Sequence, residues 1–153
     1  MTIAIWAPHA DDEIIGCYHV LMSKEKVQVY YGGIVEDGCK RASRLFGFEF
    51  YHLSNLARPW DVVYAPDPNV DMHPEHRRLG QMAHQMFRAG KIRRVIHYCT
   101  TMQAPYIFEV PDPEAKRNAL NQCYPEKGDL WRYEWKYVLF EGYWEVLRLD
   151  HRK

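Results

Sequence analysis

The apolar positions of this chain change period several times along its length, and each change predicts an element. "TIAIWA" at 2–7 is apolar almost throughout, which predicts a strand buried on both faces. From Asp11 the spacing becomes helical, with Ile14, Ile15, Tyr18, Leu21 and Met22 recurring on one face to about Lys24. "VQVYYGGI" reads as a second strand, "CKRASRLFG" as a short helix with Gly47 near its end, and "FEFYHL" as a third strand. A less regular loop through Arg58 and Pro59 leads to "DVVYAP", a short fourth strand. "PDPNVDMH" holds Pro, Asn and Asp at turn density and reads as a loop. Pro74 then suits the first position of a helix whose apolar stripe is Leu79, Met82, Ala83, Met86 and Phe87 and which ends at Gly90. "RRVIHYCTT" is another strand, "APYIFEVP" an extended piece, and "DPEAKRNALNQC" a helix with Pro at its second position.

Strands that alternate with helices predict an α/β fold built on a mostly parallel sheet with crossover helices. The closing stretch "DLWRYEWKYVLFEGYWEVLRL" departs from that rhythm in being densely aromatic, with Trp131 and Trp135 one helical turn apart and a strand from about Phe140. Core packing is the preferred reading of these rings over a sugar-stacking surface or an interface.

Composition narrows the picture further. A length of 153 residues predicts one domain spanning residues 1–153. Lys plus Arg equals Asp plus Glu at 20 each, so net charge does not indicate a nucleic acid or an anionic membrane as partner. The basic clusters "EHRR" and "KIRR" read as solvated helix ends, and nothing in the composition signals an oligomeric state. Cys17, Cys39, Cys99 and Cys123 are widely spaced inside apolar patterns, which predicts buried thiols in a reducing cytoplasm. No basic-then-apolar leader opens the chain and no run approaches the roughly 18 apolar residues of a membrane span, so a cytoplasmic protein is expected.

The chemistry concentrates at "HADDE", residues 9–13, just past the carboxyl end of the first strand, where open α/β sheets place ligands. An imidazole and a carboxylate three residues apart across a turn, His9 and Asp12, can reach one divalent ion, while Asp11 can face a water on that ion. The glycine fingerprint of a dinucleotide site is absent from this turn, which argues against a nicotinamide cofactor. A third ligand is available in "DMHPEHRRLG" at 71–80: His73 and His76 stand at i and i+3 in the first turn of the helix begun by Pro74. The position of His76 relative to Leu79 and Ala83 turns it towards the sheet, and His73 at the loop end is freer to meet a substrate. His19, His52, His84, His97 and His151 read as packing or surface residues.

"APHADDEIIGC" and "DMHPEHRRLG" resemble the two signature motifs of the LmbE/PIG-L family of zinc-dependent N-deacetylases, HPDDE after the first strand and HPDH at the start of a later helix. The resemblance implies a Rossmann-like three-layer sandwich. It implies zinc held by His9, Asp12 and His76, Asp11 as general base, and His73 as the donor that stabilises the oxyanion. Glu75 or Asp71 would orient His73, with Glu75 the stronger choice. The implied activity is hydrolysis of an N-acyl group, commonly acetyl, from an amino sugar or related small-molecule amine. Ala10 stands where the family has proline and Glu75 where it has aspartate, and the stretch between Glu13 and His73 is shorter than usual, which leaves the substrate the loosest of these implications. Alternatives are a noncatalytic ligand-binding protein on the same scaffold, or a zinc amidohydrolase acting on a modified nucleoside or peptide-like amide.

Overall fold

The computed structural model describes residues 1–23, 25–54, 59–100, 107–128 and 136–146. Strand β1 (Ile3–Ala7) leads through α1 (Asp12–Leu21) to β2 (Val27–Tyr31), and through α2 (Asp37–Phe46) to β3 (Glu49–His52). Then come β4 (Trp60–Pro66), α3 (Pro74–Arg88), β5 (Ile92–Cys99), β6 (Ile107–Glu109), α4 (Pro113–Cys123), a 3₁₀ turn (Pro125–Lys127), a helical turn (Lys136–Leu139) and β7 (Phe140–Glu145). The seven strands form one sheet in the order β3-β2-β1-β4-β5-β7-β6. Strands β1 to β5 pair in parallel, and β7 is antiparallel to both β5 and β6. The protein is therefore α/β with a mostly parallel sheet, as the alternation of periods predicts.

The unbroken apolarity of β1 has a direct explanation in the core. Ile3, Ile5 and Ala7 pack into one cluster with side chains of α1, α2 and α4, whereas Ala4 and Trp6 pack into a second cluster with Leu79, Ala83 and Phe87 of α3. Helices thus cover both faces, and a strand between them has no polar side to show. Two helix ends follow their punctuation. Gly47 closes α2 at φ 75°, in the left-handed region that favours glycine, and Pro74 opens α3. All four cysteines are buried free thiols, as their settings predict.

The site-bearing ends of the sheet lie where the chain reverses its direction of winding. β1 is flanked by β2 on one side and β4 on the other, so the crossover helices that follow β1 and β4 leave from neighbouring carboxyl ends onto opposite faces. A crevice opens between two such connections, which is the usual ligand position in open α/β sheets. Close approach of α3 to this point depends on Gly80. A Cβ there would lie 2.1 Å from the Pro66 carbonyl oxygen and 2.9 Å from the Pro68 nitrogen, both main-chain atoms that cannot rotate away.

The strand order differs from the chain order at the sheet's far edge. β7 inserts between β5 and β6, so the aromatic C-terminal stretch supplies an inner strand. Trp131, Trp135 and His151 lie outside the described residues. Among the described residues, no helix is long and apolar enough to cross a membrane.

Gly80→Val is expected to destabilise the fold by about 1–3 kcal/mol, the usual cost of forcing atoms into a packed contact. It should also weaken divalent metal binding, because α3 carries His76. Chemical denaturation and metal titration check this, and an unchanged midpoint would show that α3 does not need the contact.

Candidate functional site

His9 leaves the end of β1, Asp12 begins α1, and His76 sits in the first turn of α3. Their polar atoms converge across the crevice. His9 Nδ1 lies 3.4 Å from Asp12 Oδ2 and 3.2 Å from His76 Nε2, and the third side of the triangle, His76 Nε2 to Asp12 Oδ2, is 3.3 Å. A tetrahedral ion with bonds of about 2.0–2.1 Å holds its ligands about 3.3–3.4 Å apart, so the triangle has the dimensions of three corners of such a site. His9, Asp12 and His76 form a cluster able to hold a metal ion.

The remaining nitrogen of each ring is already occupied. His76 Nδ1 lies 3.0 Å from Asp71 Oδ2, and His9 Nε2 is in contact with Glu75 Oε2. A carboxylate on one ring nitrogen fixes that nitrogen as the N–H and leaves the opposite one with its lone pair free, which orients a histidine for a metal. Asp71 is itself held, accepting from the His73 backbone N–H at 3.0 Å and the Thr100 hydroxyl at 3.2 Å. Here the structure departs from expectation. Glu75 and Asp71 do not orient the ring of His73; each carboxylate instead holds one of the two clustered histidines. The reason is local geometry: His73 is the N-cap of α3, with an exposed side chain, while His76 turns inward beside the loop that carries Asp71. The His73 ring still stands beside the cluster, 5.2 Å from His9 and 4.9 Å from His76 between ring centroids. With His9 and Glu75 it forms a second, more exposed grouping of ligand atoms.

The "DDE" triplet is buried, with Asp11 6%, Asp12 4% and Glu13 0% exposed, so each carboxylate requires its own donors. Asp12 Oδ2 accepts from the His9 backbone N–H at 2.8 Å in addition to facing both imidazoles. Glu13 accepts from the Asp11 backbone N–H at 3.0 Å and from the Tyr124 hydroxyl. Lys127 brings its ammonium to 3.6 Å from Asp11 Oδ2 while donating to the Ala10 carbonyl at 2.6 Å. Asp11 has φ 100°, the only non-glycine residue with positive φ among the described residues. Such a conformation costs about 1–3 kcal/mol and clusters at functional sites, where surrounding contacts impose it. Its N–H donates to Glu13, its carbonyl accepts from the N–H groups of Ile14 and Ile15, and one residue earlier Lys127 holds the Ala10 carbonyl. Neither Glu13 nor Lys127 was visible as a site residue in sequence: Glu13 looks like an ordinary helix-start acid, and Lys127 has no motif around it. His19, His52, His84 and His97 lie outside the metal-ligand groupings of the described residues.

Electrostatics follow from this burial. Burial, then the neighbouring Asp12, pushes the Asp11 carboxyl up to about 8, against the pull of Lys127. Burial likewise pushes Glu13 up to about 7, although the Tyr124 hydroxyl opposes it. For Asp12 burial is outweighed by hydrogen bonds from His76 and His9, which hold it well below the usual carboxylate range. For His76 burial is outweighed by Asp12 and Asp71, and its pKa rises to about 10. Without a metal the cluster satisfies itself with protons; a divalent ion would replace them.

Between pH 6.5 and 8 the metal-free fold holds more protons than the unfolded chain at Asp11, Glu13 and His76, because all three pKa values are raised above their ordinary ones. Their contribution is full only below the ordinary values of 3.8, 4.5 and 6.5 and is lost as pH rises, so it is falling throughout this window. His97, lowered below 6.5 by burial, titrates below this window, and Lys116, lowered to about 8 by burial, opposes the trend only at its upper edge, one group against three. The thermal midpoint in chelator is therefore expected to drop from pH 6.5 to 8, and the gain on adding a divalent metal to grow, since ligands must shed protons to bind. A midpoint that rises with pH in chelator would contradict this charge assignment. Comparison with protein-family models, curated proteins and solved structures finds no match to this chain.

Proposed function

We propose that the protein is a zinc-dependent hydrolase of N-acylated amines, removing an acyl group, most simply acetyl, from an amino sugar or related small molecule. The observation that carries this reading is the ligand triangle of His9, Asp12 and His76, with sides of 3.2–3.4 Å and each imidazole held by a carboxylate on its other nitrogen. Two neutral imidazoles and one carboxylate are a donor set suited to zinc with positions left open for water and substrate. The motif resemblance to LmbE/PIG-L deacetylases points the same way. So does the strand order 3-2-1-4-5, which suits a Rossmann-like scaffold with its site between β1 and β4.

Held by His9, Asp12 and His76, zinc would supply Lewis acidity, which acidifies water towards a pKa of about 7 and polarises a carbonyl. The chain's own groups do the rest. Asp11, raised in pKa by burial and by Asp12, accepts a proton from the attacking water, and carries it to the amine nitrogen as the C–N bond breaks. His73, exposed beside the cluster, donates a hydrogen bond to the oxygen on which negative charge develops. Lys127 holds the main chain at Ala10 and offers a positive charge to Asp11. Asp71 and Glu75 keep His76 and His9 in the tautomers that leave their inner nitrogens free.

Asp11→Asn should keep its zinc and lose amide hydrolysis by about 10² to 10⁴ fold, the usual scale for a general base. His76→Ala should lose the zinc. A screen of the zinc-loaded protein against N-acyl amines, scoring new primary amine and using Asp11→Asn as control, checks the first, and metal analysis after dialysis checks the second. Equal turnover by wild type and Asp11→Asn would remove Asp11 from its role, and full zinc content in His76→Ala would show the ligand set to be wrong.

A further inference from the structure

A groove of about 270 Å³ lies next to the ligand cluster, along the side of α3 that faces the ends of β1 and β2. Its walls are Pro8, Leu53, Leu79 and Met82, and the two glycines after β2, Gly32 and Gly33, put no side chain into it. Its charged residues are Glu75 and Arg78, whose side chains are exposed at the rim, and Glu75 is turned towards His9. The groove adjoins the cluster, because Pro8 precedes His9 and the Glu75 that lines it contacts His9.

Given the amide-hydrolase reading, on which this step rests, the groove must hold one half of the substrate. The amine half of an amino sugar carries several hydroxyl groups; Glu75 and Arg78 could meet some of them at the rim, but those placed against Pro8, Leu53, Leu79 and Met82 would lose water without gaining a partner. The acyl half has no polar atom beyond the carbonyl, and that stays at the cluster. A lone acetyl methyl would leave most of the 270 Å³ to water. We infer that the groove receives the acyl chain of the substrate and that this chain is apolar and several carbons longer than acetyl. Specificity in this protein then comes from chain length read by Leu53 and Met82.

Each methylene removed from water strengthens binding by up to about four-fold, and by less in a groove that stays partly open. The test uses the zinc-loaded full chain and two series. In the first, calorimetry follows binding of acetate, butyrate, hexanoate and octanoate, the acids that hydrolysis would release. In the second, primary-amine release is followed from N-acetyl-, N-butyryl- and N-hexanoyl-glucosamine. Affinity is expected to rise by about two- to four-fold per methylene as far as hexanoate, and kcat/KM to rank in the same order. Met82→Trp fills the groove from α3 and should flatten both series; Leu53→Trp does so from the opposite wall if the first variant folds poorly. A flat series in the wild type, or a slope that survives both tryptophan variants, overturns the groove assignment. Loss of all amide hydrolysis with the acid series still sloping would overturn the hydrolase reading instead.

Discussion

Three consecutive carboxylates are buried at the end of one strand, and the surrounding structure is arranged to make that tolerable. An unpaired ionised group out of water costs several kcal/mol, so each acid must find donors of its own. Asp12 takes two imidazoles and a backbone N–H, Glu13 takes Tyr124 and the N–H of Asp11, and Asp11 takes the charge of Lys127. These partners come from α3, from the residue that follows α4, and from the 3₁₀ turn after it. The triplet therefore ties together elements far apart in the chain, and it does so at the one place in the sheet where the winding reverses.

The same contacts prepare the site for an ion. Two more carboxylates, Asp71 and Glu75, grip the outer nitrogens of His76 and His9, so the inner nitrogens and Asp12 present a compact triangle of ligand atoms. Left without a metal, that arrangement holds protons instead: Asp11 and Glu13 keep theirs well above the usual carboxylate range, and His76 keeps its own to about 10. A divalent cation removes the need for those protons. The left-handed backbone at Asp11 belongs to the same design, a strained residue kept in place by buried neighbours beside the proposed chemistry.

How much of this could be read from the sequence depends on whether a feature is local. "TIAIWA" declares a strand covered on both faces, and Pro74 and Gly47 mark a helix start and a helix end, because period and punctuation act within a few residues. His9, Asp12 and His76 could be picked out as candidate ligands because they fall in two motifs that resemble a family's and that sit at strand and helix ends. The assignment of Glu75 and Asp71 to particular rings could not be read, since it depends on the path of the loop into α3 and on which side of that helix turns inward. Glu13 looks like no more than a helix-start acid in the sequence, because its partner, Tyr124, is 111 residues away. Lys127 and the insertion of β7 between β5 and β6 are likewise products of long-range packing, for which a single sequence offers no periodic signal.

The central claim is that the preformed triangle, rather than the more exposed grouping of His9, His73 and Glu75, binds the metal. Anomalous diffraction at the zinc edge from crystals of zinc-loaded protein addresses it directly. The account predicts one peak within about 2.0–2.2 Å of His9 Nδ1, Asp12 Oδ2 and His76 Nε2. A peak bonded instead to His9 Nε2, His73 and Glu75, or no peak near His76, would contradict it.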